Sequence, residues 1–542
     1  MINGVTRVPE PRNETPIPHA PGSDERKELD AALKELQKKK FDFTMTIDGE
    51  KKMGSGEKIE VVQPHDHKKV LGTIKEATKT DAKEAVKAAK AAAPAWAAMP
   101  FDERAAVLLR AADLLCTKYR AKMNAATMLG QSKTIQQSEI DAIAELADFW
   151  RFNVAFAQQM MEQQPLNPEG QWNRLDYRPL DGFVYAISPF NFTAIGGNLP
   201  TAPALMGNTV IWKPSPTQQL SAHITMEILE EAGLPDGVIN MLPGHGIEVS
   251  EVVLPDPDLA GVHFTGSTKT FQMLWKEIGG NIDRYRSYPR IVGETGGKDF
   301  ILAHSSCDRD VLKTAIIRGA FEYQGQKCSA ASRAYIAKSV WEDIKDDLAT
   351  EVDNLAMGSP LDYKNFMSAV IDDRAFAKGK EAIDRAKANK DVEIVAGGTY
   401  DDSEGYFIRP TILECKNYDE EFFKDEYFNP ILAVYVFDDE DFTSMYKVID
   451  EASAYALTGA VLAKDRAVVD EATEALRMSA GNFYINDRPT GSVVGQQPFG
   501  GSRASGTNDK AGSMANLMRW TSPRSLKETL AAPTDHRYPH MS

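Results

Sequence analysis

The sequence predicts a large α/β protein built on parallel, doubly wound sheet. Three observations carry that prediction. Short β-rich runs at GFVYAISPF (182–190), NTVIWKPS (208–215) and LAGVHFTGS (259–267) each end in a turn ahead of a helix-like stretch, the pattern of strand-to-helix junctions. The chain before them is mostly helical in composition, and a second alternating section follows RIVGETGGKDFIL. Alternation of this kind builds parallel sheets, whose strand carboxyl ends are where ligands bind.

In chain order, DAKEAVKAAKAAAPAWAAM (81–99) has helix composition interrupted by Pro94, and 103–128 continues with apolar residues at helical spacing. Helix, break, helix is expected. Residues 161–181 are polar and turn-rich and read as an excursion from the domain. Further extended runs stand at RAYIAKS, ILAVYVF and GAVLAKD, within a section that runs to about residue 490. The end, from RWTSPRSLKETL onward, is polar and poor in helix signals. It pairs with 161–181 into an arm, or the two are a solvated hairpin and a frayed terminus.

Length and charge narrow the function classes. A chain of 542 residues with 42% hydrophobic content is too long for one ordinary core and implies about two to four domains. Acidic residues outnumber basic ones 78 to 62, a net charge of −16, with no basic cluster to attract a phosphate backbone, so nucleic acid is not an expected partner. No apolar run reaches the roughly 20 residues that cross a bilayer. The opening residues lack both a secretory apolar core and an acid-poor, Arg-rich pattern, and the expected location is the cytoplasm.

Four cysteines (Cys116, Cys307, Cys328, Cys415) are too scattered for CxxC pairing. Cys116 follows an amphipathic helix pattern, and Cys307 and Cys415 have no nearby His; these three read as structural. His65 and His67, in QPHDHKK, read as a solvated loop and not as metal ligands, and no metal site is expected. Cys328, in FEYQGQKCSAASR, stands apart, between a lysine and a run of small residues.

Standard nucleotide motifs fail. GHG at 244–246 lacks the third glycine of GxGxxG, and GETGGK at 293–298 has the wrong spacing for a Walker loop. VHFTGSTKTF is more promising, because a strand ending at Thr265 with a helix opening around Ser267 and Thr268 presents backbone N–H groups to a pyrophosphate; an ordinary N-cap has the same sequence. Lys213, at the end of a strand and held extended by Pro214, offers an ammonium to ribose hydroxyls, or is a plain lysine at a strand edge.

Six ordered motifs then share a resemblance. ISPFNF (187–192), IWKPS (211–215), FTGST (264–268), ETGGK (294–298), GQKC (325–328) and EYFNP (426–430) resemble the aldehyde dehydrogenase superfamily from roughly residue 45 to 525. Within it, SPFNFTAIGGNL, FEYQGQKCSA, GNFYIND and TGSVVGQQPFGGSRASGTNDK resemble the Δ1-pyrroline-5-carboxylate dehydrogenases, which oxidise glutamate γ-semialdehyde to glutamate in proline catabolism, and at 542 residues a stand-alone enzyme is expected, not one fused to proline dehydrogenase.

The resemblance implies a Rossmann-type NAD-binding domain (1–160 and 184–296, the first 40 or so residues an extension), an α/β catalytic domain (297–505), and a β oligomerisation arm with tail (161–183 and 506–542). It implies Cys328 as nucleophile, Glu294 as general base and Asn191 as oxyanion donor. For the cofactor, NAD with NADP as the alternative, it carries over Ser188, Phe190, Lys213, Ser215, Gly266, Ser267, Thr268, Glu426 and Phe428. For the substrate it carries over Ser329, Gly491 and Ser492 as the α-carboxylate anchor, with Phe192 and Phe499 flanking the aliphatic chain. Homodimers or larger homo-oligomers, and a functional link to proline dehydrogenase, follow from the same source.

Lys327, backbone dipoles and bound cofactor charge are the candidates for lowering the Cys328 pKa. Two departures stand out. Pro216 replaces a glutamate that discourages a 2′-phosphate, and Asn429 replaces the glycine of ExFGP, a residue type that tolerates left-handed angles and so preserves the turn. Relatives that pass the acyl group to phosphate or coenzyme A have no use for Glu294, which needs water as acceptor. A silent binding protein has no use for Cys328, Glu294 and Asn191 together.

Overall fold

A computed structural model describes residues 4–541. The β-rich runs around residues 183–294 form one seven-stranded sheet. Its order is Arg290–Glu294, Leu259–Thr265, Phe183–Ile187, Thr209–Lys213, Ile239–Met241, Met45–Ile47, Glu50–Lys52. The first five strands are parallel, and the last two add antiparallel at one edge. The chain starts in the middle at Phe183–Ile187, winds outward one way to Ile239–Met241, then returns to the other side at Leu259–Thr265. That reversal is the switch point where a doubly wound sheet leaves a crevice at its strand carboxyl ends. Phe183, Val184, Tyr185 and Ala186 are all buried, as befits a strand covered on both faces.

Residues 299–485 form a second seven-stranded sheet, in the order Val392–Ala396, Thr411–Cys415, Ile431–Phe437, Ala331–Ala337, Asp299–Ala303, Thr458–Leu462, Asn482–Ile485. Only the first pairing is antiparallel. The chain passes from one sheet to the other across residues 295–298; separate hydrophobic cores cover the two faces of the first sheet, and a third belongs to the second.

The helix–break–helix expectation resolves into three helices, Lys79–Ala98, Phe101–Cys116 and Arg120–Gln131, so the stretch expected as one helix over 103–128 is broken at 117–119. Pro94 lies inside the first helix, which ends only at Met99 and Pro100. The polar excursion and the tail do pair: Gln171–Pro179 runs antiparallel to Thr521–Thr529 over nine residue pairs as an isolated two-stranded ribbon.

Residues 506–520, expected with the arm and tail, pack elsewhere. Their helix Met514–Met518 brings Leu517 into the first core alongside Trp520, both fully buried. Asn208 Nδ2 donates to the Trp520 carbonyl at 2.9 Å. Two large apolar side chains fix this stretch to the first body before the ribbon begins. Among the described residues no helix is long and apolar enough to cross a membrane.

Candidate active site

A cleft of about 890 Å³ opens at the switch point, between the strand ends of the first sheet and the Glu426–Phe428 loop of the second. Eight of the nine expected cofactor residues line it: Ser188, Phe190, Lys213, Ser215, Gly266, Ser267, Glu426 and Phe428. The ninth, Thr268, engages its hydroxyl with Gly296 N and Tyr455 Oη, both at 3.4 Å, and Thr270 of the same helix faces the cleft instead.

The cleft's floor follows from local chemistry. The strand Leu259–Thr265 ends in Gly266, and Ser267 caps the thirteen-residue helix Thr268–Gly280, its hydroxyl accepting from Thr270 N at 3.2 Å. The helix therefore starts at the cleft with its positive end. Lys213 is buried, contrary to a strand-edge lysine, and its Nζ meets only the carbonyls of Pro214 and Gly244 at 3.3 Å. Burial pulls its pKa down to about 8, with Glu76 opposing. The GHG stretch also shapes this wall, since Gly246 has φ 83° and a Cβ there would lie 2.2 Å from Lys213 Cδ. Across the cleft, Glu426 Oε1 accepts from Gly297 N at 3.0 Å, and the Phe190 and Phe428 rings meet edge to face at 5.9 Å.

Cys328 lines the same cleft and is partly exposed, whereas Cys307 and Cys415 are buried. It follows three consecutive residues in the left-handed region, Tyr323 (φ 50°), Gln324 (φ 56°) and Gly325 (φ 66°). Two of these carry side chains, so the turn is strained and must be held by its surroundings. The Gln324 amide donates to the Ser132 and Ala369 carbonyls at 3.2 and 2.7 Å and accepts from Ser368 N at 2.9 Å. Gly325 is required, because a Cβ would lie 2.4 Å from the Asn429 carbonyl.

Burial, together with the carboxylates of Glu294, Asp299, Glu426 and Glu145, pushes the Cys328 thiol well up. Lys327 does not offset this. Its ammonium pairs with Glu322 at 3.0 Å, and those carboxylates outweigh it, since the thiol is pushed up and not down.

Asn191 is buried beside the nucleophile turn, its amide donating to the Gln326 carbonyl at 3.1 Å and leaving its second N–H for another acceptor. Glu294 ends its strand partly exposed, with its backbone carbonyl accepting from Gly266 N at 3.2 Å. Burial pushes its carboxyl up to about 8, with Lys510 opposing and Asp509 adding. A Cβ on Gly500 would come within 3.2 Å of Glu294 Oε1.

The expected substrate residues are divided between the two bodies, with Phe192 on the first. Ser329 Oγ bonds Thr490 Oγ1 at 2.7 Å, one residue from Gly491 and two from Ser492. Phe499 pairs its backbone with Ala511. Phe192 sits at the start of the helix Thr193–Leu205, its ring 3.9 Å from Lys133 Nζ.

Some readings change. His65 is not in a solvated loop: it is buried, and its Nδ1 meets Ser132 Oγ at 2.9 Å, because the Asp66–Lys75 strand folds it inward. At EYFNP the left-handed residue is Phe428 (φ 57°), not Asn429. The Asn429 amide instead fastens the turn through the carbonyls of Ala375 and Tyr427, at 3.0 and 3.1 Å.

Sequence reasoning missed a group of buried charges. Lys133 and Asp141 form a buried pair at 2.7 Å. Asp141 also accepts from Thr193 N and Ala194 N, capping the helix that follows Asn191, while Lys133 Nζ lies 4.4 Å from the Tyr323 ring in the nucleophile turn. Glu145 has its carboxyl pushed up to about 8 by burial and by Asp141. No pattern marks these residues, since a charge on a helix ordinarily reads as a solvated face.

The sequence pattern of the aldehyde dehydrogenase family matches residues 51–526. The chain belongs to the aldehyde dehydrogenase family. A crystal structure of the Δ-pyrroline-5-carboxylate dehydrogenase of Mycobacterium tuberculosis bound with NAD superposes with a TM-score of 0.97 at 60% identity, over 100% of both chains. The probable delta-1-pyrroline-5-carboxylate dehydrogenase of Schizosaccharomyces pombe is 48% identical over 98% of each sequence. The mitochondrial delta-1-pyrroline-5-carboxylate dehydrogenase of Dictyostelium discoideum is 49% identical over 98% of this chain and 96% of its own.

Proposed function

We propose that the chain oxidises L-glutamate γ-semialdehyde, the open form of Δ1-pyrroline-5-carboxylate, to L-glutamate with NAD, in proline catabolism. The observation that carries the chemistry is Cys328 on the wall of a nucleotide-sized cleft at the switch point of a doubly wound sheet. The cleft suits a dinucleotide: a helix N-terminus, close backbone approach at Gly266, a buried ammonium at Lys213 and a carboxylate at Glu426. Ser267 and Gly266 would hold the pyrophosphate, and Lys213 and Glu426 the two riboses. Bound there, NAD supplies the hydride acceptor.

The residues divide the remaining work. The Cys328 thiol loses its proton to solvent through the open cleft as its sulfur adds to the aldehyde carbon, forming a C–S bond and an oxyanion. The free Asn191 N–H and the Cys328 backbone N–H donate to that oxygen; removing one such donor typically costs a hundred- to a thousand-fold in rate. Collapse of the oxyanion re-forms the carbonyl as hydride departs, leaving a thioester on Cys328. Glu294 then takes a proton from water, whose oxygen attacks the thioester and returns the sulfur as leaving group. Ser329, Gly491 and Ser492 hold the α-carboxylate, and Phe192 and Phe499 exclude water from the aliphatic chain.

In this division residues 1–160 and 184–296 serve the cofactor, 297–505 carry the nucleophile, and the ribbon joins subunits. An isolated two-stranded ribbon is marginal in water, which supports a homo-oligomer. An enzyme that oxidises proline supplies the substrate. Four unpaired cysteines fit a reducing compartment; the cytoplasm is the proposed location, and cell fractionation tests it against the mitochondrial location named for several relatives.

The test of substrate is NAD reduction with glutamate γ-semialdehyde, succinic semialdehyde and simple aliphatic aldehydes, with the first expected to give the highest kcat/KM. Preference for aliphatic aldehydes would sink the carboxylate anchor.

A further inference from the structure

The segment before the first helix, Asp24–Lys38, has no regular structure, yet it is tied down along its length. Thr6 Oγ1 donates to Asp102 at 2.7 Å, and Val8 N donates to Gln158 Oε1 at 2.7 Å. Glu14 pairs with Arg120 and Arg151 at 2.9 and 2.8 Å, and Ile17 N donates to Glu139 at 3.0 Å. Most of these bonds fasten the strap to helices of the first body. Asn13 does something different.

Its Nδ2 donates to Asp148 Oδ2 at 2.7 Å and to the Val494 carbonyl at 2.8 Å, while its Oδ1 accepts from Gln496 Nε2 at 3.0 Å. Both donors and the acceptor are engaged, which is most of what one amide offers. Two of the three bonds go to the loop that carries Gly491 and Ser492. That loop is exposed at Gly491, Gly495, Gln496 and Gln497, and glycines in the left-handed region, Gly491 (φ 97°) and Gly495 (φ 83°), bracket Val494.

On its inner side the loop rests on the helix Leu146–Met161. A Cβ on Gly495 would lie 2.2 Å from the Phe152 ring, and Val494 belongs to the first core with Phe149. Asp148 of the same helix holds the other end of the Asn13 amide and also accepts from Glu14 N at 2.7 Å. The loop is thus gripped between a helix beneath it and a strap that crosses from the far end of the sequence.

We propose that Asn13 is a positioning residue for the loop bearing Gly491 and Ser492, so that the N-terminal strap sets affinity for the carboxylate end of the substrate. This rests on the reading of Gly491 and Ser492 as the carboxylate anchor. Asn13 touches neither Cys328 nor the nucleotide cleft, so losing it should relax the anchor without touching the chemistry.

The experiment compares wild type with Asn13→Ala and Asn13→Asp on glutamate γ-semialdehyde and on butanal, together with amide hydrogen exchange of residues 490–497. Asn13→Ala should raise KM for the semialdehyde about tenfold, the worth of one well-placed hydrogen bond. kcat, KM for NAD and kcat/KM for butanal should stay within about twofold. Asn13→Asp, which loses the donor and sets a charge against Asp148, should have the larger effect, and exchange of 490–497 should quicken in both. Equal changes for both aldehydes, or unaltered exchange, would overturn the latch. A wild-type enzyme that does not prefer the semialdehyde would overturn the anchor instead, and the exchange data would still decide the latch.

Discussion

The nucleotide cleft and the surroundings of the Cys328 thiol are made of different materials. The cleft is walled by strand ends, glycines, serines and a large apolar share that includes Phe264, Leu274 and Phe428, with Lys213 as its buried ammonium and Glu426 shared with the nucleophile side. Around the nucleophile the structure gathers Glu294, Glu145, Asp299 and Glu426, each with its carboxyl pushed up, and holds the turn through the Lys133–Asp141 pair. Binding a large anion needs shape and oriented backbone, which the sheet provides without further expense. Moving protons and holding an acyl group needs buried charges, and those must be matched to one another or they unfold the site.

Three predictions test this contrast. The largest effect belongs to Cys328→Ala, which should cut turnover by at least about ten-thousand-fold while NAD affinity, measured by calorimetry, stays within about twofold. A comparable loss of NAD binding would mean that the cleft and the nucleophile are not separable.

Next is the pH dependence of Glu294. Its carboxyl sits near 8, so below that pH it is protonated and cannot take a proton from water. The rate of thioester hydrolysis should therefore climb as pH rises through about 8. Glu294→Gln should flatten that climb and let acyl-enzyme accumulate, read by mass spectrometry of the quenched enzyme. A wild-type profile flat between pH 6 and 9 would remove Glu294 from the role.

The smallest but sharpest test sets two buried lysines side by side. Lys133→Met strands the Asp141 carboxylate and should cost about 3–5 kcal/mol in denaturant unfolding, as breaking a buried pair does. Lys213→Met removes an ammonium that burial already penalises, so it should leave stability unchanged or raised while weakening NAD binding about tenfold. Equal destabilisation by both would erase the contrast.

The sheets were readable from sequence because fully buried parallel strands are unbroken β-rich runs, and GFVYAI, NTVIWK and LAGVHFT each fall on one. The helix opening at Thr268 was readable from the serine that caps it. The buried charges were not. Lys133 follows a left-handed Ser132, and Glu145 closes a π-helical stretch, Glu139–Glu145; which way such side chains turn is decided by tertiary packing alone. Ser329, Gly491 and Ser492 are ordinary turn residues, and only resemblance to a family singled them out. His65 misled because a short charged loop looks solvated until the neighbouring strand folds it inward.

Trp520 has one more consequence. It fills a place in the first core, and the ribbon that follows it pairs with residues more than three hundred positions earlier. The first body is therefore completed by a segment that folding must bring back across more than three hundred intervening residues, a loop closure that the burial of Leu517 and Trp520 offsets.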